Sequence, residues 1–262
     1  MVGPFSRIIR NTVLRPLGLT SSSQPTAKAA PTPTPGPTPK PTDTFEPSKK
    51  PQPTPSPSPG PSPTPPPPPA PLQPLTPPST DPTNPTPPMV VRPSKNFNDR
   101  PAGQDIDSIV LHHTADGSDK SSLETLTGKA SSPWGKAKLW YKEHRGGPVS
   151  AHYVIGKDGT IYQLVGDQKR AWHAGEGSLP GKPGDVNNRS IGIEIVNEGD
   201  GKDAYTEAQY KALEQLVPYL AKRYEVPVGN VVGHKDITSK KHDPSPNFDF
   251  DRITRATEKK VG

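Results

Sequence analysis

Proline limits how much of this chain can pack. Of its 40 prolines, 28 fall between Pro31 and Pro93, in Pro-Thr and Pro-Ser repeats and an unbroken run from Pro65 to Pro69. Proline has no amide donor and a fixed φ, so such a stretch completes neither a helix nor a sheet ladder and favours polyproline II. Three segments follow from this: a basic tail over residues 1–30, a Pro-rich disordered spacer over 31–95, and a domain of ordinary composition over 96–262. Fully extended, the spacer would span roughly 200 Å, enough to hold the domain well away from whatever the tail touches.

Charge separates the same parts. Residues 1–94 carry 8 Lys/Arg against 3 Asp/Glu, and residues 95–262 carry 24 against 23. The domain is nearly neutral, which argues against nucleic acid as a partner. With no cysteine in the chain, disulfides, thiol nucleophiles and thiolate metal sites are excluded. No run of 18 apolar residues occurs, so no transmembrane span is expected, and Arg7, Arg10 and Arg15 interrupt the apolar N-terminal residues that a signal-peptide core would need. Ile8, Ile9, Val13, Leu14 and Leu17 between those arginines fit either a short amphipathic helix docking on a protein assembly or membrane surface, or a frayed basic tail. A monomer is the default expectation.

Periodic signals begin after Asn96. Residues 107–114, DSIVLHHT, predict a buried strand ending in a polar pair, and residues 150–165 predict a hairpin turning at Lys157-Asp158-Gly159. Residues 189–197 predict a strand with Ile191, Ile193 and Ile195 on one face and Glu194 on the other. A helix is expected from Glu207 to Tyr224, opened by Thr206 and Gln209 as a capping box, with Pro218 kinking or ending it early. A second helix is expected over 122–144, with Gly128, Pro133 and Gly135 interrupting it. Elements mixed in this order predict an α/β domain, a single mixed β-sheet with flanking helices.

Metal-capable side chains concentrate in three segments: His112-His113, His234 in VVGHKDI, and Asp243 in KKHDPSPNFD. Two imidazoles and a carboxylate form a catalytic type of zinc shell, which leaves a fourth position for water. By spacing alone, surface histidines and a helix-capping aspartate fit the same residues. Glu194 stands alone among apolar residues, and is either a general base or a strand glutamate facing solvent.

Taken together, IVLHHTA, VSAHYVIGKDGTIYQLV, RAWHAG, NNRSIGIEIVN, TEAQYKALEQL and VVGHKDITSKKHDPSPNFDF resemble the type 2 N-acetylmuramoyl-L-alanine amidase family, related to peptidoglycan recognition proteins and phage amidase lysozymes. The motifs stand in family order across residues 107–252. The resemblance implies a Zn2+ ion held by His112, His234 and Asp243, with His113 beside it in contact with substrate. It implies Glu194 as general base or orienter of the water, and Lys241 as stabiliser of the developing oxyanion; the neighbouring Lys240 is either a substitute for Lys241 or turned to solvent. Trp172, His173 and Asn188 would line a groove for peptidoglycan or a muropeptide, His173 as a hydrogen-bond donor. His152 and Tyr153 belong to a shared motif, one expected in the core and the other in the groove.

The implied activity is hydrolysis of the amide between N-acetylmuramic acid and L-alanine, in the manner of a cell-wall-degrading, bacteriolytic enzyme. Two other readings stand beside it: a peptidoglycan-binding module without catalysis, and a tethered component such as a virion-associated lysin. Residues 116–148 have weak family character, and no separate wall-binding module is evident.

Overall fold

The strand expected at 107–114 lies inside the sheet. The computed structural model describes residues 72–262 apart from Glu176, Pro180, Gly181 and Pro183; the N-terminal amphipathic segment and the spacer through Pro71 lie outside the described residues. Strand β3 (Ser108–His113) runs parallel to β7 (Ser190–Ile195) on one side and to β8 (Val231–Gly233) on the other. A strand paired on both edges and covered on both faces needs apolar residues throughout, and Ile109, Val110 and Leu111 are fully buried.

The sheet continues from β7 through β4 (Tyr153–Ile155) and β5 (Ile161–Gln163) to β1 (Val90–Val91), giving the order β1-β5-β4-β7-β3-β8. Only β4 and β5 pair antiparallel in this sheet, as the two arms of the expected hairpin. A separate ribbon joins β2 (Phe97–Asp99) to β6 (Lys169–Ala171).

Composition assigns residues through 95 to the spacer, yet its last part packs on the domain. The Leu75 amide donates to Gln163 Oε1 (2.8 Å), Asn84 Nδ2 donates to the Tyr219 carbonyl (3.0 Å), and β1 adds a parallel edge to β5. Residues between the prolines keep their amides and side-chain donors, so an extended proline-rich strand can still be tied down at a sheet edge.

Ile109, Leu111, Ile191, Ile193 and Ile195 face one way, into a core completed by helices α3 (Glu207–Arg223) and α5 (Phe250–Val261). The Thr206 and Gln209 capping box opens α3. Pro218 does not end it: the helix continues to Arg223, and Leu213, Leu216, Val217 and Leu220 are fully buried around the proline. That packing offsets the roughly 3 kcal/mol that an interior proline costs.

The helix expected at 122–144 is two helices. α1 (Asp119–Thr127) ends on Gly128, whose φ of 65° is the left-handed cap conformation, and α2 (Pro133–Gly146) starts on Ser132 with Pro133 in its first turn. The residues that weaken a single helix are the stop and start signals of a pair.

Candidate active site

Parallel strands align their carboxyl ends, and here three of them deliver the chemistry to one edge. His112 is the penultimate residue of β3, directly opposite Glu194 of β7 in register. His234 follows β8 and opens the short helix α4 (His234–Ile237). Asp243 returns in the next loop, where its carbonyl accepts from the Lys235 amide (3.0 Å). His112 and Glu194 lie on the face opposite α3, because the intervening Leu111, Ile193 and Ile195 occupy the other.

Three ligand-capable atoms converge. His112 Nδ1, His234 Nδ1 and Asp243 Oδ2 lie 3.0 Å from one another in each pairing, in side chains that are almost wholly buried. The surrounding hydrogen bonds fix which nitrogens carry protons. His234 Nε2 donates to the Ala174 carbonyl (3.0 Å), leaving its Nδ1 as a lone pair. Ser190 Oγ donates to the Val186 carbonyl (2.7 Å) and so accepts from His173 Nε2 (3.1 Å). His173 Nδ1 then accepts from His112 Nε2 (3.0 Å), which makes His112 Nδ1 a lone pair too.

Burial holds both rings neutral, His112 down to about 4 and His173 well below the usual histidine value. Two imidazole lone pairs and a carboxylate oxygen therefore face one another in a buried space, a repulsive arrangement that a cation relieves. Tetrahedral zinc with nitrogen ligands at about 2.0–2.1 Å would separate its ligand atoms by roughly 3.3 Å, close to the spacing present. The donor set and its outer supports fit zinc. Among the described residues this is the group of histidines and acids able to hold a metal.

Beside it, burial raises the Glu194 carboxyl to about 8, with Asp243 adding to the rise and Lys241 and Lys142 opposing it; Glu194 Oε2 has no hydrogen-bond partner. These groups line a cavity of about 440 Å³ together with His113, Trp172, Lys240 and Lys241. His113 is half-buried with Nδ1 unpartnered, and burial depresses its pKa. Lys240 and Lys241 are both exposed and both border the cavity, so Lys240 is not simply turned away from it. Trp172 forms part of the wall, anchored by Nε1 donating to Asn98 Oδ1 (2.7 Å).

Two expected groove residues differ from expectation: His173 borders the cavity but without a free donor, and Asn188 lies outside the lining. Both ring nitrogens of His173 are engaged inside the protein, so it has no donor left for a substrate and instead orients His112. Gly192 makes room for that ring, since a Cβ there would stand 2.3 Å from His173 Cγ. Asn188 is absent from the cavity lining; its Oδ1 accepts from Arg170 Nε (2.7 Å) and its carbonyl from Arg100 Nη1 (2.8 Å). The neighbouring Asn187 takes the supporting role, its Oδ1 accepting from the amides of His173 (3.0 Å) and Ala174 (2.8 Å).

His152 and Tyr153 both belong to the core. His152 Nδ1 accepts from the Gly192 amide (2.9 Å), and Tyr153 Oη donates to the buried Asp167 (2.7 Å). Sequence reasoning passed over Asn187, Ser190, Arg100 and Lys142. Only the Asn-Asn pair carried any local signal for them.

A family model described as N-acetylmuramoyl-L-alanine amidase matches residues 102–246. The 1,6-anhydro-N-acetylmuramyl-L-alanine amidase AmpD of Citrobacter freundii is 45% identical over 106 residues, which cover 40% of this chain and 55% of that protein. Its counterpart from Haemophilus influenzae is 34% identical over 167 residues, or 61% of this chain and 86% of that one. The crystal structure of a Se-Met AmpD derivative shares the fold with a TM-score of 0.54 at 32% identity, over 64% of this chain and 93% of the other. With more than half of its length matched by the family model, and with the strand ends carrying the family's motifs in order, this chain belongs to the N-acetylmuramoyl-L-alanine amidase family.

Proposed function

We propose that this protein is a zinc-dependent amidase that hydrolyses the amide between the lactyl group of N-acetylmuramic acid and the L-alanine of the stem peptide. The observation that carries the reading is the cluster of three converging lone pairs on His112, His234 and Asp243, with a buried, unpartnered carboxyl oxygen of the half-buried Glu194 on the adjacent strand. The names of the AmpD relatives extend it to substrates with a 1,6-anhydro-muramyl end.

Zinc held by those three residues would polarise the scissile carbonyl and bring water to a pKa near neutrality. Glu194, in register opposite His112 and lining the same cavity, is suited to take a proton from the attacking water and return it to the departing alanine nitrogen. Lys241 supplies positive charge where the carbonyl oxygen becomes an oxyanion. His173 keeps His112 in the tautomer that presents Nδ1, and Trp172 offers an aromatic wall to the sugar or peptide.

We also place the basic head and proline stalk as a tether to an assembly or membrane surface, as in a virion-borne or lysis enzyme. The amidase reading is tested with His112→Ala. Loss of stem-peptide release by a folded variant supports it, and release at the native rate rejects it.

A further inference from the structure

Helix α2 turns one whole side to solvent. Its half-buried positions, Gly135, Leu139, Lys142 and Glu143, share the other side, where Lys142 donates to Thr125 Oγ1 of α1 (3.3 Å). Helical spacing gathers Trp134, Ala137, Trp140, Tyr141 and His144, all exposed, into one outward strip. From Trp134 to His144 the strip runs about 15 Å along the helix. The Trp140 and His144 rings lie 4.1 Å apart, and the Arg145 guanidinium sits over the Tyr141 ring at 5.3 Å. The indole N–H groups and the Tyr141 hydroxyl have no hydrogen-bond partner among the described residues. None of these side chains lines the cavities at Glu194.

Cations border the strip on both edges. Lys136 flanks it on one, and Lys138 and Arg145 on the other. Lys138 is engaged with Asp116 (3.2 Å), whereas Lys136 and Arg145 form no ion pair with a described acid. The acid of α2, Glu143, lies on the half-buried side and pairs with Lys95 (3.4 Å). The outward side therefore carries positive charge and no carboxylate of its own helix. A single helix side is convex and has no groove to receive a peptide. Large rings with polar tips, set between cations, suit a boundary that is hydrocarbon on one side and water with anionic headgroups on the other.

We propose that this side of α2 docks on an anionic lipid bilayer, with Trp134, Trp140 and Tyr141 entering the headgroup boundary and Lys136 and Arg145 meeting lipid phosphates. The docking depends neither on the N-terminal tether nor on the amidase reading. It leaves Lys142 and the cavity beside it on the side of α2 away from the bilayer.

The chain holds three tryptophans, Trp134, Trp140 and Trp172, and none in the N-terminal head, so tryptophan quenching reports on the domain even where the head binds lipid. The test mixes the full chain with vesicles of phosphatidylcholine carrying brominated acyl chains, with or without phosphatidylglycerol, and measures quenching and co-sedimentation. Quenching is expected on the phosphatidylglycerol vesicles, with binding about tenfold weaker without that lipid. Lys136→Gln combined with Arg145→Gln should weaken binding to the anionic vesicles by about tenfold and leave thermal unfolding unchanged. Trp134→Phe combined with Trp140→Phe should bind as the native chain does but lose the quenching, since Trp172 alone remains. Bound protein without quenching, quenching that persists in the double Phe variant, or native binding by the double Gln variant would overturn the proposal. So would retention on purified peptidoglycan that the double Gln variant loses, with no vesicle binding, which would assign the strip to the wall polymer.

Discussion

The two longest helices among the described residues differ in how they treat apolar side chains. α3 buries ten of its 17 residues, and its aliphatic side chains fill the core behind β3 and β7. α2 has 14 residues and buries none. Its large aromatics point outward, with Trp134, Trp140 and Tyr141 exposed at 87%, 60% and 54%, while the half-buried positions are Gly135, Leu139, Lys142 and Glu143. α3 makes the fold. α2 contributes Lys142 and Gly146 to the wall of a cavity that adjoins the candidate site.

Glu194 stands where the two regions meet, on a strand backed by α3 and in a cavity bordered by α2. The largest expected effect is therefore on Glu194→Gln, which should lower amide hydrolysis by about 10²–10⁴-fold, the range for loss of a general base. A variant with near-native turnover would remove Glu194 from the chemistry.

The same substitution has a stability signature in the metal-free protein. The folded carboxyl titrates near 8 against an ordinary value of 4.5. A raised value means that the stability carried by the protonated form is complete below about pH 4.5 and is lost as pH rises toward about 8. Native protein should thus lose stability relative to Glu194→Gln across that window in urea unfolding. A difference that stays constant with pH would mean that the carboxyl is solvated.

The helices themselves supply the next contrast. Leu216→Ala, at a position with 0% exposure, should cost about 2–5 kcal/mol of unfolding free energy as a core cavity. Trp140→Ala should change stability by less than about 0.5 kcal/mol despite removing a larger side chain. Comparable losses in thermal unfolding would mean that α2 is part of the core after all.

The sequence carried most of the fold and the centre of the site for a common reason. The buried strands, the hairpin and the capped α3 follow from spacing and capping, which are local. His112, His234 and Glu194 were legible because each stands at or beside a strand end in a distinctive motif, and aligned strands bring such ends together, whereas Asp243 lies in the loop after α4 and was legible only through the motif that carries the family resemblance. Tertiary contacts decided the rest. His173 carries a donor in any sequence-level reading, and only the positions of Ser190 and His112 reveal that both nitrogens are used.

Asn187 and Asn188 are chemically identical neighbours, separated only by which one faces the His173 backbone. Pro218 obeys packing rather than propensity, and the proline-rich residues after 72 are held by Gln163, Asp167 and Tyr219, none of which is near them in sequence.

The most direct test of the central claim is stem-peptide release from purified peptidoglycan and soluble muropeptides by the full chain, before chelation, after it, and after zinc is restored. The convergence of His112, His234 and Asp243 predicts release that disappears with the metal and returns with zinc. Undiminished release by metal-stripped protein, or none from folded, zinc-loaded protein, would contradict it.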